Sequence, residues 1–290
     1  MNLNSVCRFK KTGPGHRVTE RPVFFNSRYK NLMFFIIKNF HFIIRKSFLK
    51  SLYRKIQFIK NYNFQSKLNF NVLKLFKHFV ISEILVMKNR NLIKRIKKHY
   101  NEKYTFSEDW FSNNIPVWEY FINKEINKKK KLEYLEIGSY EGRSVIYICE
   151  NYKNFNLTVV DPYLKNNEIE NFTDQHIKKA FKIFKKNINN FKNRIKFYKL
   201  KSSQFFTQNK KKYDLIYIDG SHFYKDVIQD FKNSLSVLNI NGLVIFDDFT
   251  WDHYKNIEHN PIGGILPLIK DNNSISIISV SNQIIIKKNI

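Results

Sequence analysis

Leu135-Glu-Ile-Gly-Ser-Tyr-Glu-Gly-Arg-Ser144 joins the end of a strand to the start of a helix through a glycine-bearing turn. An apolar run, Leu132 to Ile137, leads into it as a short strand; the acid Glu136 stands at the strand's end, and Gly138 and Gly142 lie in the turn that follows. Each has a physical use. Gly138 lets the backbone approach a ligand closely, Gly142 allows tight packing where a helix starts, and the helix amino terminus offers unpaired N–H groups and the positive end of its dipole. A dinucleotide turn of the form Gly-x-Gly-x-x-Gly needs one glycine more. Gly-x-x-x-Gly behind a glutamate suits a ligand carrying an ammonium or sulfonium better than a pyrophosphate.

Outward from this turn, short apolar runs alternate with helical patterns, the grammar of βαβ units. The sequence predicts strands at Leu132–Ile137, Leu157–Asp161, Ile195–Leu200, Tyr213–Asp219 and Leu243–Asp247, with helices at Gly142–Asn151, Asp174–Phe191, Ser202–Gln208 and Phe223–Leu238. Ser274–Val280 and Gln283–Lys287, separated by Ser281-Asn282, form an antiparallel hairpin. The fold class is α/β: a Rossmann-like sheet of seven strands, parallel until the closing hairpin.

Several polar residues fall at the carboxyl ends of these strands, the edge where open α/β sheets bind ligands. Asp161 ends the second strand, where an acid can accept both ribose hydroxyls of an adenosine; an Asp before Pro162 also serves as a turn cap. Ser202 and Ser203 open the helix after the third strand, within reach of an adenine edge or as plain N-caps. Asp219, Asp247 and Asp248 close the fourth and fifth strands. Three like charges brought together call for a hard divalent cation such as Mg²⁺, which orients hydroxyls and lowers their pKa; the alternative is that Asp247 and Asp248 cap their loop while Asp219 touches cofactor. His222, three residues beyond Asp219, is placed to take a proton from an attacking hydroxyl.

The segments Tyr213-Asp-Leu-Ile-Tyr-Ile-Asp-Gly-Ser-His-Phe-Tyr-Lys-Asp-Val227 and Gly242-Leu-Val-Ile-Phe-Asp-Asp-Phe249 carry a family resemblance. From about Trp110 to its end the chain resembles the class I S-adenosylmethionine-dependent methyltransferases, in the branch of the macrocin and mycinamicin type sugar O-methyltransferases, and is more distantly similar to catechol O-methyltransferases. The resemblance implies S-adenosylmethionine as cofactor, Asp219, Asp247 and Asp248 as ligands of a divalent metal, and His222 as the base. Glu136, Gly138, Ser139, Tyr140, Gly142, Asp161, Ser202, Ser203 and Asp219 are then the cofactor-binding set, and a sugar or other small polyol the acceptor. Trp110, Pro116 and Trp118 resemble the segment that covers the cofactor in related enzymes, although core packing explains them equally. Trp251, His253 and Tyr254 are placed to line the acceptor site, and Arg143 faces either solvent or the cofactor carboxylate.

The formal charge of +27 is unevenly spread. Residues 1–105 hold 24 Lys/Arg against Glu20, Glu83 and Glu102, so most of the excess lies there. The chain divides accordingly into residues 1–30, expected to be disordered, a basic helical extension over 31–105, and the catalytic domain over 106–290. Asn71 to Tyr100 has apolar residues three and four apart with lysines between them, an amphipathic helix with a break near Asn89–Asn91. It fits an anionic membrane surface or another polyanion, and equally a solvated face packed on the following domain. Leu32–Ile44 is too short and too interrupted to span a bilayer, the amino terminus lacks secretory-signal features, and Cys7 and Cys149 form no disulfide or zinc pattern, so the expected location is cytoplasmic, or peripheral on the inner membrane face. Two other readings stand beside this one: a nucleic-acid methyltransferase using the basic extension, against which the absence of an Asn/Asp-Pro-Pro-Tyr/Phe motif speaks, and a non-catalytic membrane-associated adaptor. A homo-oligomer is compatible with all three.

Overall fold

Strand β1 (Leu132–Ile137) lies in the interior of a seven-stranded sheet of order β3-β2-β1-β4-β5-β7-β6. The computed structural model describes residues 46–126, 131–165, 173–270 and 272–290, all within one compact unit, His41–Ile290. The disorder expected of residues 1–30 and the Leu32–Ile44 run lie outside the described residues.

Strands β2 (Phe155–Val160), β3 (Ile195–Tyr198), β4 (Tyr213–Ile218) and β5 (Leu238–Phe246) run parallel with β1; β7 (Ile284–Lys288) pairs antiparallel with β5, and β6 (Ile275–Val280) antiparallel with β7. This is the predicted α/β plan with its closing hairpin. The central strands are apolar on both faces, as a sheet covered twice must be. Leu157, Val159, Leu215, Tyr217, Leu243 and Ile245 join one core with α4 (Ile115–Glu125), α5 (Arg143–Asn151) and α6 (Asp174–Ile188). Alternate residues face the other side, where α8 (Tyr224–Val237) stacks Phe231 on Phe246 at 5.0 Å, with α7 (Ser202–Gln208) and α9 (Pro261–Ile269) packed beside it.

Two differences from the expected elements have local causes. β5 begins at Leu238 rather than Leu243: Leu238 pairs with Tyr213, the ladder is interrupted, and Asn241 turns left-handed at φ 65° before pairing resumes at Leu243. Helix α9 was not expected at all, because two prolines and two glycines obscure it. Pro261 opens the first turn, and Gly264 is required where the helix meets α8, since a Cβ there would stand 2.8 Å from the carbonyl oxygen of Tyr224.

Ahead of the sheet, α1 (Lys46–Ser66), α2 (Leu73–Lys88) and α3 (Arg90–Lys103) form the described part of the basic extension. The expected break falls at Asn89, between α2 and α3. α2 lies against edge strand β6: His78 Nδ1 is 2.9 Å from the Ile278 carbonyl, at the irregularity of that strand, and Ser82 Oγ is 2.8 Å from Ser279 Oγ. Covering an edge in this way removes a row of unpaired backbone groups from solvent. Among the described residues, no helix is long and apolar enough to cross a membrane.

Candidate active site

Past β1 the chain turns through Gly138, Ser139 and Tyr140 before Gly142 starts α5. Gly138 has φ 82°, and a Cβ on it would lie 1.9 Å from the carbonyl oxygen of Asp219, so the turn meets the end of β4 backbone to backbone. Gly142 is also left-handed, packed under Phe184. The carboxylate of Asp161, at the end of β2, fastens this turn: Oδ2 accepts the N–H groups of Ser139 at 2.8 Å and Tyr140 at 3.1 Å, and Oδ1 that of Tyr163 at 2.8 Å. Burial pushes its pKa up, and those three donors work against the rise.

Glu136 is wholly buried beneath the turn. Tyr134 Oη and Ser144 Oγ each donate to it at 2.5 Å, and burial raises its pKa to about 8. Glu141, which the sequence reading passed over, accepts both the N–H and the hydroxyl of Ser107 at 2.6 Å and so holds the segment preceding α4 against the turn. Trp110, in that segment, is exposed with its ring 5.1 Å from that of Tyr140. Trp118 is instead a core residue. Arg143 faces neither solvent nor the rim: it lies 4.1 Å over the Phe106 ring, with Asp109 at 3.6 Å and Asn101 at 3.3 Å. Ser202 bonds the buried carboxyl of Asp230 on α8, and Ser203 is exposed on the first turn of α7.

The acids converge at the ends of β4 and β5. Oxygen and nitrogen atoms of Asp219, His222 and Asp248 lie within 4.8 Å of one another, and His222 Nε2 is 2.8 Å from Asp248 Oδ2. Asp248 is held left-handed, φ 52°, in the turn that aims it there. Asp247 lines the same recess but lies outside this group, with its oxygens engaged by protein donors. Its Oδ2 accepts Tyr217 Oη and, at 2.7 Å, Gln283 Nε2, while Oδ1 accepts the N–H of Asp248 at 2.8 Å. Gln283 accepts in turn from Trp118 Nε1 at 2.7 Å, and Tyr217 Oη lies 3.0 Å from Asp219 Oδ2. Asp219 opens to solvent at the mouth of a small recess but is crowded by protein behind it. That desolvation, followed by the charges of Asp247 and Asp248, raises its pKa well above the carboxylate range.

Beyond β5 an aromatic loop leans on the histidine. Trp251 packs on His222 at 4.5 Å, and His253 stacks on Trp251 at 4.8 Å. The buried Asn260 sets this loop by accepting the N–H groups of His253 and Tyr254 at 2.9 and 3.0 Å. Tyr217, Gln283 and Asn260 carried no sequence signal. An open groove of about 630 Å³ between α3 and the carboxyl end of α5, lined by Tyr100, Cys149 and Arg194 among others, includes none of the acids or glycines above. Its size therefore does not bear on the chemistry of the rim.

Residues 135–249 match a protein family described as a methyltransferase domain. By that match these residues are a methyltransferase domain. The chain is 29% identical over 159 residues to an uncharacterized protein of Acanthamoeba polyphaga mimivirus, a match over 53% of this chain and 69% of that one. Among solved structures, it is similar to the O-methyltransferase from Bacillus cereus in complex with SAH, at 13% identity and a TM-score of 0.47 over 68% of this chain and 90% of that one. It is likewise similar to the MycE methyltransferase of the mycinamycin biosynthetic pathway in complex with Mg, SAH and mycinamycin VI, at 12% identity and a TM-score of 0.46 over 68% and 53% of the two chains.

Proposed function

We propose that this methyltransferase domain methylates a hydroxyl of a sugar or other small polyol. The observation that carries the reading is the meeting of an imidazole with two carboxylates, His222 with Asp219 and Asp248, on the same rim as the Gly138 turn. S-adenosylmethionine supplies an electrophilic methyl group on a sulfonium. The residues of the chain have the remaining work. On Asp161, Oδ2 is engaged by the N–H groups of Ser139 and Tyr140 and by the Ser139 hydroxyl at 3.4 Å, whereas Oδ1 accepts only the N–H of Tyr163, so Oδ1 is the oxygen that can take a ribose hydroxyl. As the acceptor oxygen bonds the methyl carbon and the carbon–sulfur bond breaks, its electron pair staying on sulfur, His222 accepts the hydroxyl proton, and the Asp248 carboxylate 2.8 Å away stabilises the imidazolium that forms. Trp251 fixes the plane of the ring.

The donor set also fits a divalent cation. Hard carboxylate oxygens stand beside one another, and the charges of Asp247 and Asp248 add to desolvation in raising the pKa of Asp219. Asp219 and Asp248 would hold the ion, with Asp247 bracing them from behind through Tyr217 and Gln283; it would supply charge neutralisation and orientation of vicinal hydroxyls.

His222→Ala is expected to lower turnover on a panel of polyol acceptors by about 10²- to 10⁴-fold while S-adenosylhomocysteine binding, measured by calorimetry, stays near wild type. Loss of cofactor binding without a selective defect in turnover would remove the base role. Mg²⁺ is expected to raise the melting temperature of the wild type and of His222→Ala but not of Asp248→Asn. A shift that disappears in His222→Ala would make the histidine a ligand instead.

A further inference from the structure

Helix α1 has two faces, and both are apolar. Phe48, Leu52, Ile59 and Tyr62 are buried against the rest of the molecule. At about 100° per residue, Leu49, Tyr53 and Phe64 fall together on the opposite side, 51%, 63% and 85% exposed. Lys46, Lys50, Arg54 and Lys60 share that side and are exposed as well. Past the turn, the first residues of α2 continue the pattern: Leu73 is 77% exposed, Phe76 is exposed, and Lys74 and Lys77 stand among them. Residues 46–77 carry eight Lys/Arg and no Asp or Glu. Glu83 on α2 answers only Lys55 of these, pairing with it on the inner side.

Exposed large side chains scattered singly need no explanation, but five on two consecutive helices, interleaved with cations in a stretch without acids, are the kind of feature that marks an interaction surface. We infer that the outer face of α1 and the start of α2 dock on an anionic lipid surface, with Leu49, Tyr53, Phe64, Leu73 and Phe76 entering the headgroup boundary and the lysines meeting acidic headgroups. The charge selects an anionic partner. The leucines select a bilayer over a nucleic acid, since aliphatic side chains provide no platform for stacking a base. Such a helix lies in the plane of the interface, in keeping with the absence of any spanning helix among the described residues. The surface is independent of the methyl-transfer chemistry and would hold the rim close to acceptors that reside in or near a membrane.

The test uses the full chain in co-sedimentation with phosphatidylcholine vesicles, with and without phosphatidylserine. Binding to the phosphatidylserine vesicles is expected, weakening as salt rises, and falling at least about tenfold in the triple variant Leu49→Ser, Tyr53→Ser, Phe64→Ser. If that variant melts below the wild type, Lys50→Gln, Arg54→Gln, Lys60→Gln replaces it, with the same loss expected. Failure to bind either vesicle overturns the inference, as does undiminished binding of a folded variant. So does a patch whose substitution abolishes self-association or retention of single-stranded RNA while vesicle binding persists.

Discussion

Glu136 has no exposed surface, and its carboxyl, held by Tyr134 and Ser144, has a pKa near 8 because burial disfavours the charge. A folded-state pKa above the unfolded one means that this group's contribution to stability is complete below about pH 4.5 and is lost as pH rises through about 8. Glu136→Gln is therefore expected to flatten the fall in melting temperature between those limits and to exceed the wild type at pH 8.5; a variant that parallels the wild type across the window would contradict it. On the rim, Asp219, His222, Asp247 and Asp248 stood out in the sequence by residue type and place, because an acid or imidazole at a strand end contrasts with apolar text. Their division of labour was not. An Asp pair in sequence looks symmetric, but Tyr217 and Gln283, a phenol within β4 and an amide beside β7, engage Asp247, while Asp248 meets His222.

At the scale of elements, the turns and strands decide what the side chains can do. Gly138→Ala places a methyl group against the carbonyl of Asp219, so the β4 loop must move. The variant is expected to lower the melting temperature and to abolish S-adenosylhomocysteine binding in calorimetry; wild-type binding would show that the close approach is not needed. Gln283→Leu strands Trp118 Nε1 and one acceptor position on Asp247, two polar groups in a dry place. Chemical denaturation is expected to show a loss of about 2 to 4 kcal/mol, and no loss would mean that water replaces the amide. The βαβ text and the hairpin were readable because strand and helix periods differ and turn residues separate them. α9 was not, since Gly263 and Gly264 serve contacts with Glu258 and α8 that a local reading interprets as a loop.

On the scale of the whole molecule, the sheet order β3-β2-β1-β4-β5-β7-β6 brings residues 136–163 and 217–251 to one rim, and α2 shields the far edge strand. The basic amino-terminal region was visible as composition, but composition could not assign its faces. Structure separates a buried side that packs on the rest of the molecule from an outer side where cations and apolar residues alternate. Under the proposed function the rim binds an adenosyl sulfonium through the Gly138 turn and Asp161. Titration calorimetry of the full chain with S-adenosylhomocysteine tests it most directly. One saturable site is expected in the wild type and none in Gly138→Ala; a wild-type protein that gives no heat of binding would contradict the account.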